Sequence, residues 1–546
     1  MDAADITPQA GLPTIPLSQS VNDIAEAVIR NIPEDIIFLQ NDRYVTIETD
    51  PDNGHAELRE MTPKRLITWL SRYMRFIKRV AQDGSNVYGS VTAATAEVIL
   101  ASDTMRRACR PLRLLLPTSL PARSPEGIRI LRPGYDAATK TFTAPTVNYA
   151  RDNMSPAQCR KEVEDLLSEF PWLDCSPDMG NKPFAKSANV ARYMAYVIGQ
   201  YCMLMVPKQP MIILNANQRG SGKTLLAQIP LAAIWGTCAV QPMPKDEDML
   251  SKVLFSHLIA GSPYLLLDDL TLMASGFLNQ YATAKTITDR KMGAHSIISV
   301  ENNMQMIGTG NDLKCSKDVE RRSIIIDLFA EDDVLQKEHA NVLTEQSITS
   351  TAFRERLLSI LHAMVQNWAS KGCPAICPPS AMASFEGYPE IVGSIVIANG
   401  FADPFAPRES YGLGGDVRGE AIKDMLIRAA DLIVPEVTSL GELDHTGINK
   451  KFTIQDFIRI AESNGTKTEI LCNAKNEESR MGQIIREWMG RKFYDGRGRL
   501  AQFDKRRIRT GVSYSITILS EPVHPLAGGE AEERENAALY QYLFCS

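Results

Sequence analysis

The run MIILNANQRGSGKTLLAQIP, residues 211–230, restricts the fold more than any other part of the chain. Residues 211–216 are apolar enough for a buried strand, 217–222 form a glycine-containing turn, and KTLLAQIPLAAIWG opens as a helix. A strand passing through such a turn into a helix aims backbone N–H groups and the positive helix end at one point, which is a phosphate cradle. A bare G-K-[ST] arises by chance in about one chain in four of this length, so the flanking elements carry the reading. Asn217 stands where the pattern G-x-x-x-x-G-K-[ST] has its first glycine. Asparagine tolerates the left-handed conformation better than other non-glycine residues, so the departure is mild. The candidate nucleotide contacts are Asn217, Gly220, Ser221, Gly222, Lys223 and Thr224, with Lys223 on the β- and γ-phosphates and the Thr224 hydroxyl on Mg²⁺.

A working site also needs a carboxylate on a neighbouring strand. SPYLLLDDLTL (262–272) runs four apolar residues into Asp268 and Asp269. Asp268 fits the magnesium shell and Asp269 fits polarisation of an attacking water; the plain alternative is a strand end with two solvated acids. Asn311 stands at the polar tip of MQMIGTGNDL, placed to orient a water or touch a γ-phosphate, and Arg321 and Arg322 precede the apolar SIIIDL. Arginine suits charge developing on a transferring phosphate, often from a neighbouring subunit, but either one also suits an ordinary ion pair. Apolar strands at 263–267, 305–309 and 323–327 alternate with helical stretches, which predicts an α/β core with a parallel sheet covered by helices.

With 546 residues the chain calls for three or four domains. We expect a mixed α/β N-terminal domain (1–125), a β-hairpin and helical collar (126–206), the phosphate-binding core (207–345), a helical lid and connector (346–410), a winged-helix-like domain (411–520) and a tail (521–546). In the first domain DRYVTIET reads as a strand, and 63–81 as one helix bearing Lys64, Arg65, Arg72, Arg75, Lys78 and Arg79. That basic face is either solvated or a contact for backbone phosphates. The proline-rich 110–125 reads as a hinge.

A net charge of −6 confines any nucleic-acid surface to a local patch. The N-terminus lacks the basic start and apolar run of a signal peptide, and the most apolar stretch, 191–207, is short for a membrane span and interrupted by Gln200. Ten scattered cysteines, with only Cys373 and Cys377 close together, read as reduced thiols of a cytoplasmic protein without a membrane partner.

Taken together, NQRGSGKT, YLLLDDL, TGNDL and DVERRSIIIDL resemble the AAA+-type ATPase core of superfamily III helicases and the related helicases of phages, prophages and mobile elements. The resemblance spans roughly 126–410, and RPGYD (132–136) and RKMG (290–293) strengthen its mobile-element branch. It implies catalytic roles for Lys223, Asp269, Asn311 and an arginine finger, Arg322 or alternatively Arg321, with Thr224 and Asp268 on magnesium. It also implies a DNA-binding hairpin between the acid pair and Asn311, where 287–300 offers Arg290, Lys291 and His295; the histidine also suits a hydrogen bond in the turn. "GND" replaces the commoner "GNN" after that strand, and residues 1–125 show no paired acids or zinc cluster of a primase.

The implied activity is that of an ATP- and Mg²⁺-dependent DNA helicase, a homo-oligomeric ring expected to be a hexamer, acting on single-stranded and forked DNA beside a primase or another replication protein. The rival readings are a remodelling or defence ATPase on the same core and a nucleotide-switched DNA-binding initiator. Residues 480–511 carry ten basic side chains against Glu487, Asp495 and Asp504. A helix, a turn at GRGRL and the strand VSYSITIL follow the order of a winged helix, with Arg486, Arg491, Lys492, Arg506 and Arg507 on phosphates; such a module also serves protein contacts.

Overall fold

A computed structural model describes residues 11–51, 54–177, 181–244, 246–273, 276–290, 297–330, 343–407, 417–433, 436–437, 443–444, 449–471, 476–490, 492–494, 499–508 and 511–519. The first part contains, in order, β1 (Thr14–Pro16), α1 (Val21–Asn31), β2 (Ile37–Gln40), β3 (Arg43–Thr49), β4 (Ala56–Glu60), α2 (Pro63–Leu70), β5 (Arg75–Val80), β6 (Asn86–Gly89), α3 (Ala93–Ala101), α4 (Asp103–Ala108) and β7 (Arg110–Pro111). They form two sheets, β1–β5–β6 and β4–β3–β2–β7, over a core that includes Val28, Leu66, Leu70, Phe76 and Ile99.

The single helix expected over 63–81 is not formed. It ends at Leu70, and the chain becomes extended from Arg75. Leu66, Leu70 and Met74 are all buried, which mimics a helical stripe, but beyond Met74 only Phe76 turns inward while Arg75, Lys78, Arg79 and Val80 are exposed. An inward Phe76 between Arg75 and Ile77, which face the other way, follows the two-residue period of a strand.

Residues 110–125 are not a free hinge either. Leu112, Leu114, Leu116, Leu120 and Ala122 are buried. β8 (Leu114–Leu116) and β9 (Pro121–Ser124) pair with strands further along, β9 with β10 (Gly127–Ile130) and β8 with β12 (Thr141–Thr143), which in turn pairs with β11 (Gly134–Asp136). The prolines cut this segment into short strands without releasing it from the core. Tyr135, of the RPGYD run, donates its hydroxyl to the Pro111 carbonyl at 2.7 Å and ties β11 to β7.

Helices α5 (Pro156–Leu167) and α6 (Ala188–Tyr201) lead into the central sheet, and α6 is buried along nearly its whole length. The sheet comprises β13 (Met211–Ala216), β14 (Val240–Pro242), β15 (Tyr264–Met273), β18 (Gln305–Cys315) and β19 (Ser323–Leu328), all parallel, in the order β14–β15–β18–β13–β19. A separate antiparallel hairpin, β16 (Thr286–Arg290) and β17 (Ile297–Glu301), lies between β15 and β18 in sequence, where a hairpin was expected. Every residue of β13 and β19 is buried, β13 inside the sheet and β19, its edge strand, under the packed α6. From β13 the chain runs through α7 (Lys223–Trp235) to the edge at β14, returns by α8 (Glu247–Ala260), β15, α9 (Gly276–Thr283) and β18, and crosses by α10 (Lys317–Glu320) to β19. This reversal beside β13 opens a crevice at the strands' carboxyl ends, the place where open α/β sheets bind ligands.

Helices α11 (Glu345–Thr349), α12 (Thr351–Ala369) and α13 (Ser394–Ala398) follow, with α11 and α12 packed on α7. No helix among the described residues is long and apolar enough to cross a membrane.

The C-terminal part contains α14 (Val417–Asp431), the short pair β20 (Glu436–Val437) and β21 (Leu443–Asp444), β22 (Asn449–Phe452), α15 (Ile454–Ser463), α16 (Lys467–Leu471), α17 (Glu477–Glu487), β23 (Lys492–Tyr494), β24 (Leu500–Ile508) and β25 (Gly511–Ile518). Its antiparallel sheet, β22–β25–β24–β23, encloses Met425, Phe457, Ile484, Phe503 and Ile516 with the helices. Arg499, one of the ten basic residues, is fully buried and donates to the carbonyls of Ala430 and Ile433, closing the end of α14. Its charge therefore serves this fold rather than a surface.

Candidate nucleotide site

The loop after β13 turns on two glycines in the left-handed region, Gly220 (φ 79°) and Gly222 (φ 78°). Gly222 immediately precedes Lys223, the first residue of α7, and a Cβ there would also meet the Phe170 ring at 2.9 Å. Asn217 plays a different part from the one its residue type suggests. Its φ is not positive. Instead its amide bonds Ala330 twice, Nδ2 to the carbonyl at 2.8 Å and Oδ1 from the N–H at 2.9 Å, with Gln218 Nε2 on the same carbonyl at 3.1 Å. Asparagine here clips the loop to the chain leaving β19.

At the start of α7, Thr224 Oγ1 donates to Asp268, 3.1 Å from Oδ1 and 3.3 Å from Oδ2. The Thr309 hydroxyl of β18 donates to the same carboxylate. Lys223 is only 7% exposed. Burial holds its ammonium pKa below the usual lysine value, against the opposing pull of Asp268 and Asp269.

Asp269 lies at a break in the β15–β18 ladder. Leu267 pairs with Gly308 and Leu270 with Gly310, leaving a bulge on β15 in which Asp269 adopts φ 57°. A left-handed aspartate costs roughly 1–2 kcal/mol, and such strain gathers where a bulge re-aims a side chain. Asp269 is exposed at this point, beside the paired Asp268. Neither Thr309 nor Gly310 stood out in the sequence; a glycine inside an apolar strand was the available signal for a close backbone approach.

Asn311 pairs with Ala216 across β13 and β18, so it stands where the glycine loop begins. Its Oδ1 is buried without a hydrogen-bond partner, and so is the hydroxyl of Ser221 within the loop. Orphaned buried polar atoms are costly unless a ligand or water completes them. An acceptor, a hydroxyl, a buried ammonium and a Thr–Asp pair of hard oxygens fit a nucleotide phosphate with magnesium, an ion usually held by one or two carboxylates plus phosphate oxygens.

The two arginines precede β19 and so lie at the amino end of the parallel sheet, away from the loop. Arg322 is half-buried and donates to the Asn279 carbonyl at 2.6 Å. Arg321 has a side chain 73% exposed and pairs with Asp318.

Of the expected DNA contacts, Arg290 ends β16 and is exposed, opposite Ile297, which is 65% exposed. Lys291 and His295 lie outside the described residues, as does Arg491. Arg486 is exposed on α17 and donates Nε to the Gly482 carbonyl, and Lys492 is exposed at the start of β23. Arg506 and Arg507 sit on β24 opposite Ser513 and Val512, and their side chains lie outside the described set.

No protein-family model matches the chain, and no curated protein does. Among solved structures, the apo A form of the NrS-1 C-terminal region is 11% identical, covering 88% of this chain and 96% of that one, with a TM-score of 0.34. A second structure of that region, residues 305–718, gives 11%, 89%, 96% and 0.33. A ligand-bound JCV helicase is 15% identical over 44% of this chain and 71% of that one, with a TM-score of 0.18. At these TM-scores the likeness carries no argument about fold or activity.

Proposed function

We propose that the chain is an ATP-dependent DNA helicase of the AAA+ type that works as a hexameric ring, with each ATP bound between subunits. The observation that carries this reading is the Thr224–Asp268 pair under a left-handed glycine turn, flanked by the orphaned Ser221 hydroxyl and Asn311 Oδ1. A solvated strand end would not need a buried lysine and a threonine drawn to one of its two carboxylates.

The loop N–H groups, Ser221 and Lys223 would hold the phosphates, and Thr224 and Asp268 the magnesium. Bound magnesium supplies charge neutralisation on the β- and γ-phosphate oxygens. Asn311 and Asp269 would orient the attacking water. As its oxygen bonds to the γ-phosphorus, the bond to the ADP oxygen breaks, and Asp269 receives the water's proton.

The six residues of β19 separate the arginines from the loop end of the sheet by roughly 17 Å. An arginine acting on the γ-phosphate would therefore come from the neighbouring subunit, and the exposed Arg321 is better placed for that than the tethered Arg322. The β16–β17 hairpin, with Arg290 at the end of β16, would contact single-stranded DNA, and Lys291 and His295, which follow in sequence, are candidates for the same role. The helix–strand order of 417–519 supports a winged-helix reading in which Arg486, Lys492 and the β24–β25 hairpin approach forked DNA.

The test is the steady-state ATPase rate with and without single-stranded DNA, beside Lys223→Ala. Several-fold stimulation by DNA, absent from the variant, supports the reading, and strand displacement then follows. Turnover indifferent to DNA refutes it.

A further inference from the structure

We infer that Lys208 is a positioning residue that pins α9 and the β16–β17 hairpin to the strand carrying the phosphate loop, so that nucleotide bound at the loop is felt at the hairpin. This rests on the nucleotide reading of the loop, and its use in turnover rests on the DNA reading of the hairpin.

α9 runs directly into β16, and the last carbonyls of a helix lack partners within it. Those of Tyr281, in the last turn, and Ala284, just beyond it, each receive two side-chain donors. Lys208 Nζ reaches them at 3.1 and 2.5 Å, and Asn302 Nδ2 at 2.7 and 3.1 Å. Asn302 follows β17, and its own N–H donates to the Lys285 carbonyl at 2.8 Å, closing the root of the hairpin on itself. The Tyr281 hydroxyl adds a bond to the Met304 carbonyl at 3.2 Å. The end of α9 and the hairpin root are therefore one unit.

Lys208 comes from outside that unit. It lies in PKQP, residues 207–210, immediately ahead of β13. Each proline fixes its own φ and restricts the residue before it, which stiffens the segment. Gln209 Nε2 ties it to the Gly199 carbonyl of α6 at 2.9 Å, and Gln305 Nε2 of β18 donates to the Pro210 carbonyl at 2.9 Å. The Met211 N–H donates to the Arg322 carbonyl at 3.1 Å, and the Arg322 side chain holds the Asn279 carbonyl of α9. Lys208 and Arg322, joined through Met211, thus hold α9 from the amino end of the sheet.

Leu278, Ile287 and Val300 bury the unit in one core with Ile213 and Leu267, but apolar packing is non-directional, so the angle of the unit falls to these bonds. Lys208 is half-buried, and among the described residues its ammonium takes carbonyls and no carboxylate. Leaving α9 would strand that charge, whereas a methionine would fill the same space and hold nothing.

The experiment follows amide hydrogen exchange over 284–303 in the full-length chain, with and without AMP-PNP and magnesium, and measures mant-ATP binding alongside. We expect nucleotide to change exchange at the root in the wild type. Lys208→Met should lose that change while binding mant-ATP within about two-fold of wild type, and Lys208→Arg should recover it. Where DNA stimulates turnover, Lys208→Met should cut the stimulation by about two- to thirty-fold and spare the basal rate. A Lys208→Met root that still answers to nucleotide overturns the inference. So does loss of mant-ATP binding in that variant, which would make Lys208 a support of the fold alone. A wild-type root indifferent to nucleotide also overturns it, and mant-ATP then shows whether the nucleotide site has failed with it. Turnover indifferent to DNA counts against the helicase reading, while the exchange result still decides on the pin.

Discussion

A methyl group on Gly310 would overlap the carbonyl oxygen of Leu270. The bulge that turns Asp269 outward pushes that carbonyl toward β18, and only glycine leaves room for it. Gly310→Ala should cost about 1–3 kcal/mol by overpacking and reset the bulge, lowering the ATPase rate at least ten-fold. Urea unfolding and turnover measure the two effects. A variant that keeps both would separate the bulge from catalysis.

Asn217→Gly would restore the common phosphate-loop pattern. It should nevertheless weaken the site, because it removes both amide bonds to Ala330 and leaves a backbone N–H without its partner. We expect a loss of about 1–3 kcal/mol in stability and a raised KM for ATP, with Asn217→Asp intermediate because it keeps only the acceptor. Better turnover in Asn217→Gly would mean that the clip has no role in holding the loop.

The strand 211–216 and the start of the following helix at Lys223 were legible because an apolar run, glycines and a helix former meet at fixed positions. The hairpin before β18 was placed correctly, but its tip lies outside the described residues. Helix 63–81 was misread because Met74, buried in a strand approach, falls on the period of Leu66 and Leu70. β24 was hidden by the basic run Lys505–Arg507, which breaks the apolar alternation that Ala501 and Phe503 begin. Gly310 and Asn217 were opaque for a different reason: each answers to a backbone group distant in sequence, Leu270 and Ala330, and no local pattern encodes that.

Lys208 is half-buried at the end of α9, where Nζ donates to the carbonyls of Tyr281 at 3.1 Å and Ala284 at 2.5 Å. Burial lowers its pKa to about 8. Between that value and the ordinary lysine pKa the unfolded chain binds the extra proton, so this group adds stability as pH rises through the window. Buried cysteines such as Cys377, pushed up to about 12, act in the opposite direction, so the comparison needs a variant. The stability of wild type relative to Lys208→Met should increase from pH 8 to pH 10 in urea titrations. A constant difference would mean that the amine is hydrated in solution.

Arg321 and the glycine loop lie at opposite ends of the parallel sheet, so on the proposed reading a site that uses both is assembled from two subunits. Arg321→Ala and Lys223→Ala should each abolish turnover when assayed alone. Mixed, they should recover part of it, because some interfaces then join an intact loop from one subunit with an intact arginine from the next. Arg322→Ala should behave differently. Losing its bond to the Asn279 carbonyl loosens the amino end of β19, which should lower the unfolding midpoint of the isolated protein, and mixing should not restore that. If Arg322→Ala complements and Arg321→Ala does not, the roles are reversed, and the Asn279 bond must break as the ring assembles. If neither recovers with Lys223→Ala at any ratio, the nucleotide site belongs to a single subunit.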